Sequence, residues 1–401
     1  MGKKGSIAFG VLGIVLVVVA IVWWVAIGPA MIKLPSDLNS PMTFQGNLTQ
    51  YIDSATQQSL PAGQEKVIPF TAVRTFSSLA DLYTSSVAVC KDSTIMTVGG
   101  QAQPPQVFYD PLDRKTRKYV KSDQSWAYDK AIVLNDRVGH YGPLFPGGLK
   151  VGDTVSAFFD DINSAFDLPV VEKIDNFEGT GVTALKIDAS HPVADYYPAV
   201  AQAFLGGQGL PMQLTFEQLS AQLKAKGLDL GALLTGLATV ASPADMQSLQ
   251  AMTQQPVKLI YKQEGKDIVY IEQKTGATIG ATLNRTTTMQ IDTSGLLQAF
   301  TIIGKYATDP TVGPTIQTVM QAAGQLVQAP PTQVFNQNMS IIKTSEESLA
   351  KDAKKNIPLL ALAKLWIPLI IVIVGAILLI VGGYLFLRTR KPAPAATPSQ
   401  E

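Results

Sequence analysis

Two long stretches without a charged residue, one near each end of the chain, constrain this sequence more than any other feature. Residues 6–32 and 365–387 contain no Asp, Glu, Lys or Arg. About twenty helical residues cross a hydrocarbon core about 30 Å thick, and each run reaches that length. The first follows Lys3 and Lys4, and the second is closed by Arg388, Arg390 and Lys391. Basic residues concentrate in cytoplasmic flanks, so this arrangement predicts a two-pass protein of the cell membrane with both termini cytoplasmic. The expected order is a cytoplasmic segment 1–5, a transmembrane helix 6–32, an extracytoplasmic domain 33–356, a second membrane segment 357–387 with its core span at 365–387, and a Pro- and Ala-rich disordered cytoplasmic tail 388–401. Trp23, Trp24 and Trp366 fall at the outer ends of the runs, where amphipathic rings anchor to the membrane interface. The first run outlasts the roughly 7 to 15 apolar residues of a signal peptide, which favours an uncleaved anchor. Lys351, Lys354, Lys355 and Lys364 stand against the charge rule, because they flank the second run on its proposed outer side.

Composition narrows the function classes. The chain is 46% hydrophobic and 16% charged, below the roughly 25% charge of a soluble protein, as lipid-facing segments require. Its 32 Lys+Arg against 31 Asp+Glu give a net charge of +1, which lacks the basic footprint of a nucleic-acid partner. Cys90 is the sole cysteine, so no intrachain disulfide forms, and with two histidines it supplies no zinc site of the His/Cys type. No cofactor is expected.

The middle of the chain predicts an α+β fold, a β-rich antiparallel extracytoplasmic domain with a helical insertion, flanked by the two transmembrane helices. Residues 42–120 alternate β-branched and polar residues between Pro/Gly turns, with Cys90 as an apolar strand residue and 114–120 as a short strand. Strands resume at 172–188. Residues 193–254 change to helical spacing, with three or four helices, a capping box at Thr215 and Gln218, and boundaries at Pro211 and Ser242-Pro243. Residues 257–263, 267–273 and 277–291 read as a three-stranded meander with turns at Glu264-Gly265-Lys266 and Lys274-Thr275-Gly276. A helix at 312–328 and a strand at 333–342 lead towards the second run.

No catalytic constellation stands out. His140 and His191 lie beside turn formers and read as loop histidines. Asp160-Asp161-Ile162-Asn163 lacks the spacing of a calcium loop and reads as surface acid. Gly206, Gly207 and Gly209 have no following Lys-Ser/Thr, so they punctuate helices and do not cradle phosphate. Asn47, Asn284 and Asn338 begin glycosylation-type triplets, compatible with an outside location. The insertion carries the main functional expectation. Leu228, Leu230, Leu233, Leu234 and Leu237 form a stripe that either buries itself as core or walls an apolar ligand cavity.

Five segments carry a resemblance: Lys33-Leu34-Pro35 after the first span, Tyr109-Asp110-Pro111-Leu112-Asp113-Arg114-Lys115-Thr116, Phe145-Pro146-Gly147, Tyr270-Ile271-Glu272-Gln273-Lys274-Thr275-Gly276, and the second span. In this layout the chain resembles the actinobacterial two-pass envelope proteins of the porin PorA family. The resemblance implies a β-rich ectodomain anchored at both ends that handles envelope lipids or glycolipids. It implies no particular functional residues. A membrane-spanning β-barrel would need many lipid-facing strands, whereas the membrane-length runs here are helical. The expected protein is non-enzymatic, with the lipid bilayer, an envelope lipid or glycolipid, and envelope proteins as partners. The alternative expectation is a scaffold that docks envelope proteins without a ligand. A hydrolase or transferase would require Asp160, Asp161 or His140 to meet a nucleophile in one cleft.

Overall fold

The computed structural model describes residues 3–28, 33–53, 59–225 and 227–388. Arg390 and Lys391 lie outside the described residues. The fold is α+β and built on one large antiparallel sheet. Its strands are β1 (Asn39–Gln50), β2 (Lys66–Ser78), β3 (Val87–Val98), β4 (Gln101–Ala102), β5 (Gln106–Asp113), β6 (Trp126–Ala127), β7 (Ile132–Val133) and β8 (Thr154–Phe159). They continue with β9 (Ser164–Ile174), β10 (Ala184–Asp188), β11 (His191–Asp195), β12 (Gln213–Leu214), β13 (Val257–Gly265), β14 (Ile268–Glu272), β15 (Thr278–Ile291) and β16 (Thr332–Ile341). Neighbours run β7-β6-β5-β3-β2-β1-β16-β15-β14-β10-β9-β8, with β4 on β3, and β13 joining β15 to β11 and β12.

The two sides of this order meet. Leu112 in β5 bridges to Tyr119, Lys118 bridges to Tyr141, and Tyr141 bridges to Ala157 in β8. Across this seam the N–H groups of Tyr119, Tyr141 and Phe158 donate to the carbonyls of His140, Ser156 and Tyr141. The sheet thereby closes into a barrel, and closure removes the open edges that invite pairing with other chains. The expected strand at 114–120 contributes only the bridging residues Lys118 and Tyr119. Asp113 folds the preceding residues into a turn by accepting from the N–H groups of Lys115 (3.0 Å) and Thr116 (2.6 Å), and Arg117 takes a positive φ of 66°.

Alternation assigns the two faces. Met42, Phe44, Ala72, Met96 and Met339 line the interior, so Thr43, Gln45, Asn47, Asn338 and Asn284 point outward. This polar outside and apolar inside is the reverse of a lipid-facing barrel. Asn47, Asn338 and Asn284 are cross-strand neighbours on that outer face, in strands and not in loops.

The meander expectation is corrected. β13 and β14 both pair with β15, through Gly265 opposite Arg285 and Ile268 opposite Thr282. They are successive parts of one interrupted strand. Glu264-Gly265-Lys266 is an irregularity and no reversal, held because the Asp267 carboxylate accepts from the Asn284 N–H at 3.0 Å. A Cβ at Gly265 would run into the His191 ring, so glycine allows the close approach. His191 itself is buried at the start of β11, against the loop expectation, and packs on Phe159 and Phe166 with ring centroids at 5.0 and 5.6 Å.

The helices are α1 (Lys3–Val22, continuing through a π-helical turn Trp23–Ile27), α2 (Pro198–Phe204), α3 (Phe216–Ala225), α4 (Leu230–Leu237), α5 (Pro243–Thr253), α6 (Ser294–Gly304), α7 (Gly313–Gln328) and α8 (Lys343–Arg388). The predicted capping box is present: Gln218 N–H donates to Thr215 Oγ1 at 3.2 Å and Thr215 N–H to Gln218 Oε1 at 2.9 Å. Helices extend beyond the expected insertion, since α6 and α7 share one apolar core with α3, α4 and α5. At the barrel, Val200 and Phe204 of α2 border the interior. Leu349, Ala350 and Ala353 of α8 belong to the same buried cluster as Met42, Phe44 and Ile341.

Among the described residues α8, 46 residues long, is the one helix long and apolar enough to cross a membrane, and the apolar stretch Val11–Ile27 is shorter. Large apolar side chains of α8 stand bare, with Ile380 72% exposed, which water would not favour. The first helix packs along α8. A Cβ on Gly13 would come within 2.8 Å of the Gly375 carbonyl oxygen, the close approach that small residues give to paired membrane helices.

Candidate functional site

The barrel encloses a cavity of about 270 Å³ bordered by residues of strands all round its wall and by α2. Part of that wall is apolar, including Phe44, Met96, Phe108, Phe158 and Phe204. The rest is a belt of charge. Arg74, facing inward like Ala72 and Phe76 before and after it, donates from Nε to Asp92 Oδ1 at 2.9 Å and from Nη2 to Asp92 Oδ2. Across the barrel Arg285 donates from Nε to Asp267 Oδ2 at 2.8 Å and from Nη1 to Asp161 Oδ2 at 2.9 Å. Bidentate and forked pairs of this kind suit the planar guanidinium.

Behind the cavity wall lies Arg137, whose side chain is 0% exposed. It donates to Asp110 Oδ1 at 2.7 Å, to Asp160 Oδ1 at 3.4 Å, to Ser125 Oγ at 3.1 Å and to the Tyr109 carbonyl. Its guanidinium carbon stands 4.3 Å from the centre of the Tyr119 ring. Burial pushes the Asp110 carboxyl up to about 7, with Arg137 opposing and Asp160 adding to the rise. Asp160 is pushed up to about 6 by the same burial, again with Arg137 opposing. Charges removed from water shift their proton affinity in this way even when paired.

Two polar atoms at the cavity lack partners. Gln263 is 3% exposed. Its Nε2 donates to Tyr196 Oη at 2.6 Å, while its Oε1 has no hydrogen-bond partner. The Tyr128 hydroxyl is likewise unpartnered. Both residues line the cavity. A buried polar atom left unsatisfied costs about 1–3 kcal/mol, so each offers a hydrogen bond to a water or a ligand group in the cavity.

The sequence-expected site residues fall elsewhere. Leu230, Leu233 and Leu234 line a second cavity of about 280 Å³ within the helical layer, together with Phe216, Leu249 and Phe300. Leu228 and Leu237 do not line it and belong to the helical core. Asp160 and Asp161, expected at the surface, line the barrel cavity as ion-paired groups. Their parity could not be read, because they sit in the turn that follows β8, where alternation no longer assigns a face. His140 Nδ1 stands 3.1 Å from Ser156 Oγ, and neither residue is among those bordering the cavity. Cys90 is buried in β3, where burial pushes its thiol up to about 12. Trp23 donates its indole N–H to the Ala363 carbonyl at 3.1 Å. Trp366 closes the π-helical turn that contains Ala363, and Trp24 is exposed. Lys3, Lys4 and Arg388 begin and end the paired helices.

The belt residues Arg74, Asp92, Asp110, Arg137, Asp267, Arg285 and Gln263 were not anticipated. One signal was available: Arg74 and Asp92 share strand parity with Phe70, Ala72, Phe76 and Met96, an inward-facing charge among apolar neighbours.

Three of the segments that carry the resemblance converge at the barrel seam. Arg117 donates to the Phe145 carbonyl at 2.6 Å and to the Thr275 carbonyl, and the Gly148 N–H donates to Gln273 at 2.6 Å. Arg114 donates from Nη2 to the Leu34 carbonyl at 2.9 Å, and the Leu34 N–H donates back to the Arg114 carbonyl at 3.0 Å. These residues fasten the barrel seam and the linker from the first helix. Among the described residues no cluster of three or more His, Cys, Asp or Glu is placed to hold a metal ion. No protein-family model matches the chain, and no curated protein is significantly similar to it. Fold and site together define a β-barrel with a polar outer face and an amphiphilic interior, carried on a helix of membrane-spanning length.

Proposed function

We propose that this protein is a two-pass membrane-anchored protein of the cell envelope whose extracytoplasmic barrel binds a lipid or glycolipid, holding or passing it without catalysing a reaction. The observation that carries the reading is the barrel cavity, which sets aromatic and Met side chains against a charged belt with unpartnered polar atoms. A ligand with an apolar and a polar part would satisfy both walls, as binding pockets commonly do with a few placed polar groups. The pairing of the first helix with α8 through Gly13 and Gly375 supports two spans. Lys3, Lys4 and Arg388 then lie at the cytoplasmic end. The porin PorA resemblance fits an anchored ectodomain of this kind, while the polar outer face speaks against the barrel itself crossing lipid.

The test is extraction of the purified full-length protein with organic solvent and mass spectrometry of what it carried. An amphiphile bound at up to one per chain is expected, and it should be lost in Ala281→Trp, which fills the cavity from β15. Equal lipid content in the wild type and Ala281→Trp would overturn the reading.

A further inference from the structure

We infer that the barrel cavity takes a hydroxyl-rich headgroup and discriminates against anionic ones, an inference that rests on the cavity being the ligand site. Four aspartates (Asp92, Asp160, Asp161 and Asp267) and two arginines (Arg74 and Arg285) border the cavity, and the buried Asp110–Arg137 pair lies behind its wall, with Arg137 also reaching Asp160. Each arginine is already held by at least one carboxylate. A phosphate, sulfate or carboxylate headgroup would have to displace those partners and would meet the remaining acids at low dielectric. The lining acids outnumber Arg74 and Arg285, so the cavity favours groups that donate hydrogen bonds, and a headgroup without negative charge avoids the displacement cost.

The hydrogen-bonding inventory then selects its chemistry. Gln263 Oε1 is an acceptor without a donor. Asp160 and Asp161 keep partly exposed side chains, 17% and 28%, facing the cavity. Each takes an arginine N–H through one of its oxygens, and a carboxylate can accept about four hydrogen bonds. The open capacity is therefore mostly for accepting, and the ligand must donate. Several O–H groups on a compact ring meet this need, and the Phe108, Phe158 and Phe204 rings offer surface to the apolar face of such a ring or to the start of an acyl chain. The cavity's 270 Å³ corresponds to the space of about nine waters. That accommodates one ring-sized headgroup with its linkage and leaves the remainder of a lipid outside.

The experiment uses the full-length protein in phosphatidylcholine nanodiscs, titrated with octyl β-glucoside, octyl sulfate and octylammonium below their micelle concentrations, with empty nanodiscs as background. Octyl β-glucoside is expected to bind at one per chain, at least tenfold tighter than octyl sulfate and more tightly than octylammonium. Gln263→Leu should weaken the glucoside about fivefold, the loss of about one hydrogen bond. Gln263→Glu, isosteric and still an acceptor, should retain glucoside binding and reject the sulfate further, which separates recognition from a folding defect. Equal or tighter binding of octyl sulfate or octylammonium would overturn the headgroup assignment and leave the cavity as the ligand site. Absence of binding by all three probes, with no lipid extracted from the wild type, would overturn the ligand site and this assignment with it.

Discussion

Arg137 shows how much of this barrel's interior depends on single charges. Its side chain and that of Asp110 are 0% and 1% exposed, and removing one partner of a buried pair leaves the other uncompensated, at a cost of about 3–5 kcal/mol. Arg137→Met should lower the unfolding free energy of the protein by that amount in denaturant titrations, whereas Lys355→Met, whose pair with Asp352 is exposed, should change it by less than about 1 kcal/mol. The acids on the same network predict a pH dependence with a definite sign. Burial raises Asp110 to about 7 and Asp160 to about 6, from an ordinary 3.8. The native state therefore binds more protons than the unfolded chain between these values. Their contribution is full below about pH 4 and is lost as pH rises through about 6 and about 7. Thermal melts should show stability falling across that window, and Asp110→Asn should flatten the slope. An unchanged slope in Asp110→Asn would place the dependence on other groups. Nothing in the local sequence announces Arg137, because it follows Asn135-Asp136 in a turn-rich stretch that reads as solvent-exposed. Its burial comes from the closing seam, a set of contacts between segments far apart in the chain.

At the scale of elements, local rules and long-range pairing separate cleanly. The capping box of α3, the Ser242-Pro243 start of α5 and the strands β15 and β16 follow from period and capping chemistry, and the sequence expectation placed them within a few residues. The β13–β14 relation was misread because Glu264-Gly265-Lys266 has the composition of a turn. Only the Asp267 contacts with Asn284 and Arg285 reveal that the strand continues. The helix α6 carries no charge and follows β15 after only Asp292 and Thr293, so the expected strand ran up to its start without a helix being read there. The membrane pair adds a prediction at this scale. Gly375 lies against Val17, which a Cβ on the glycine would approach to 3.1 Å. Cysteines placed by Val17→Cys and Gly375→Cys should crosslink readily in membranes. Gly13→Leu forces the helices apart where a Cβ already meets Leu379 at 2.7 Å, so it should reduce that crosslinking several-fold. Undiminished crosslinking would mean that the two helices do not cross at these glycines.

In the whole molecule, α8 joins a buried packing surface to a bare apolar stretch of membrane-spanning length. Its first turns carry Leu349, Ala350 and Ala353 into the buried cluster with Met42, Phe44, Phe70 and Ile341, and its later turns present Ile377 and Ile380 to the surroundings. No flexible linker intervenes, since the helix is continuous from Lys343 to Arg388. The helix of membrane-spanning length is thus also part of the barrel's core. A domain merely joined to such a helix would be indifferent to losing it, whereas this barrel should not be. Leu349→Ala in the full-length protein should cost about 2–5 kcal/mol, the range for deleting a buried leucine side chain. A soluble form spanning residues 33–356 should unfold at clearly lower denaturant concentration when shortened to 33–341, because the shortening exposes Met42 and Ile341. Equal stability of the two forms would show that α8 only rests on the barrel. A large difference would make the helix a mechanical coupling, in which any tilt of its apolar part moves residues packed against the barrel.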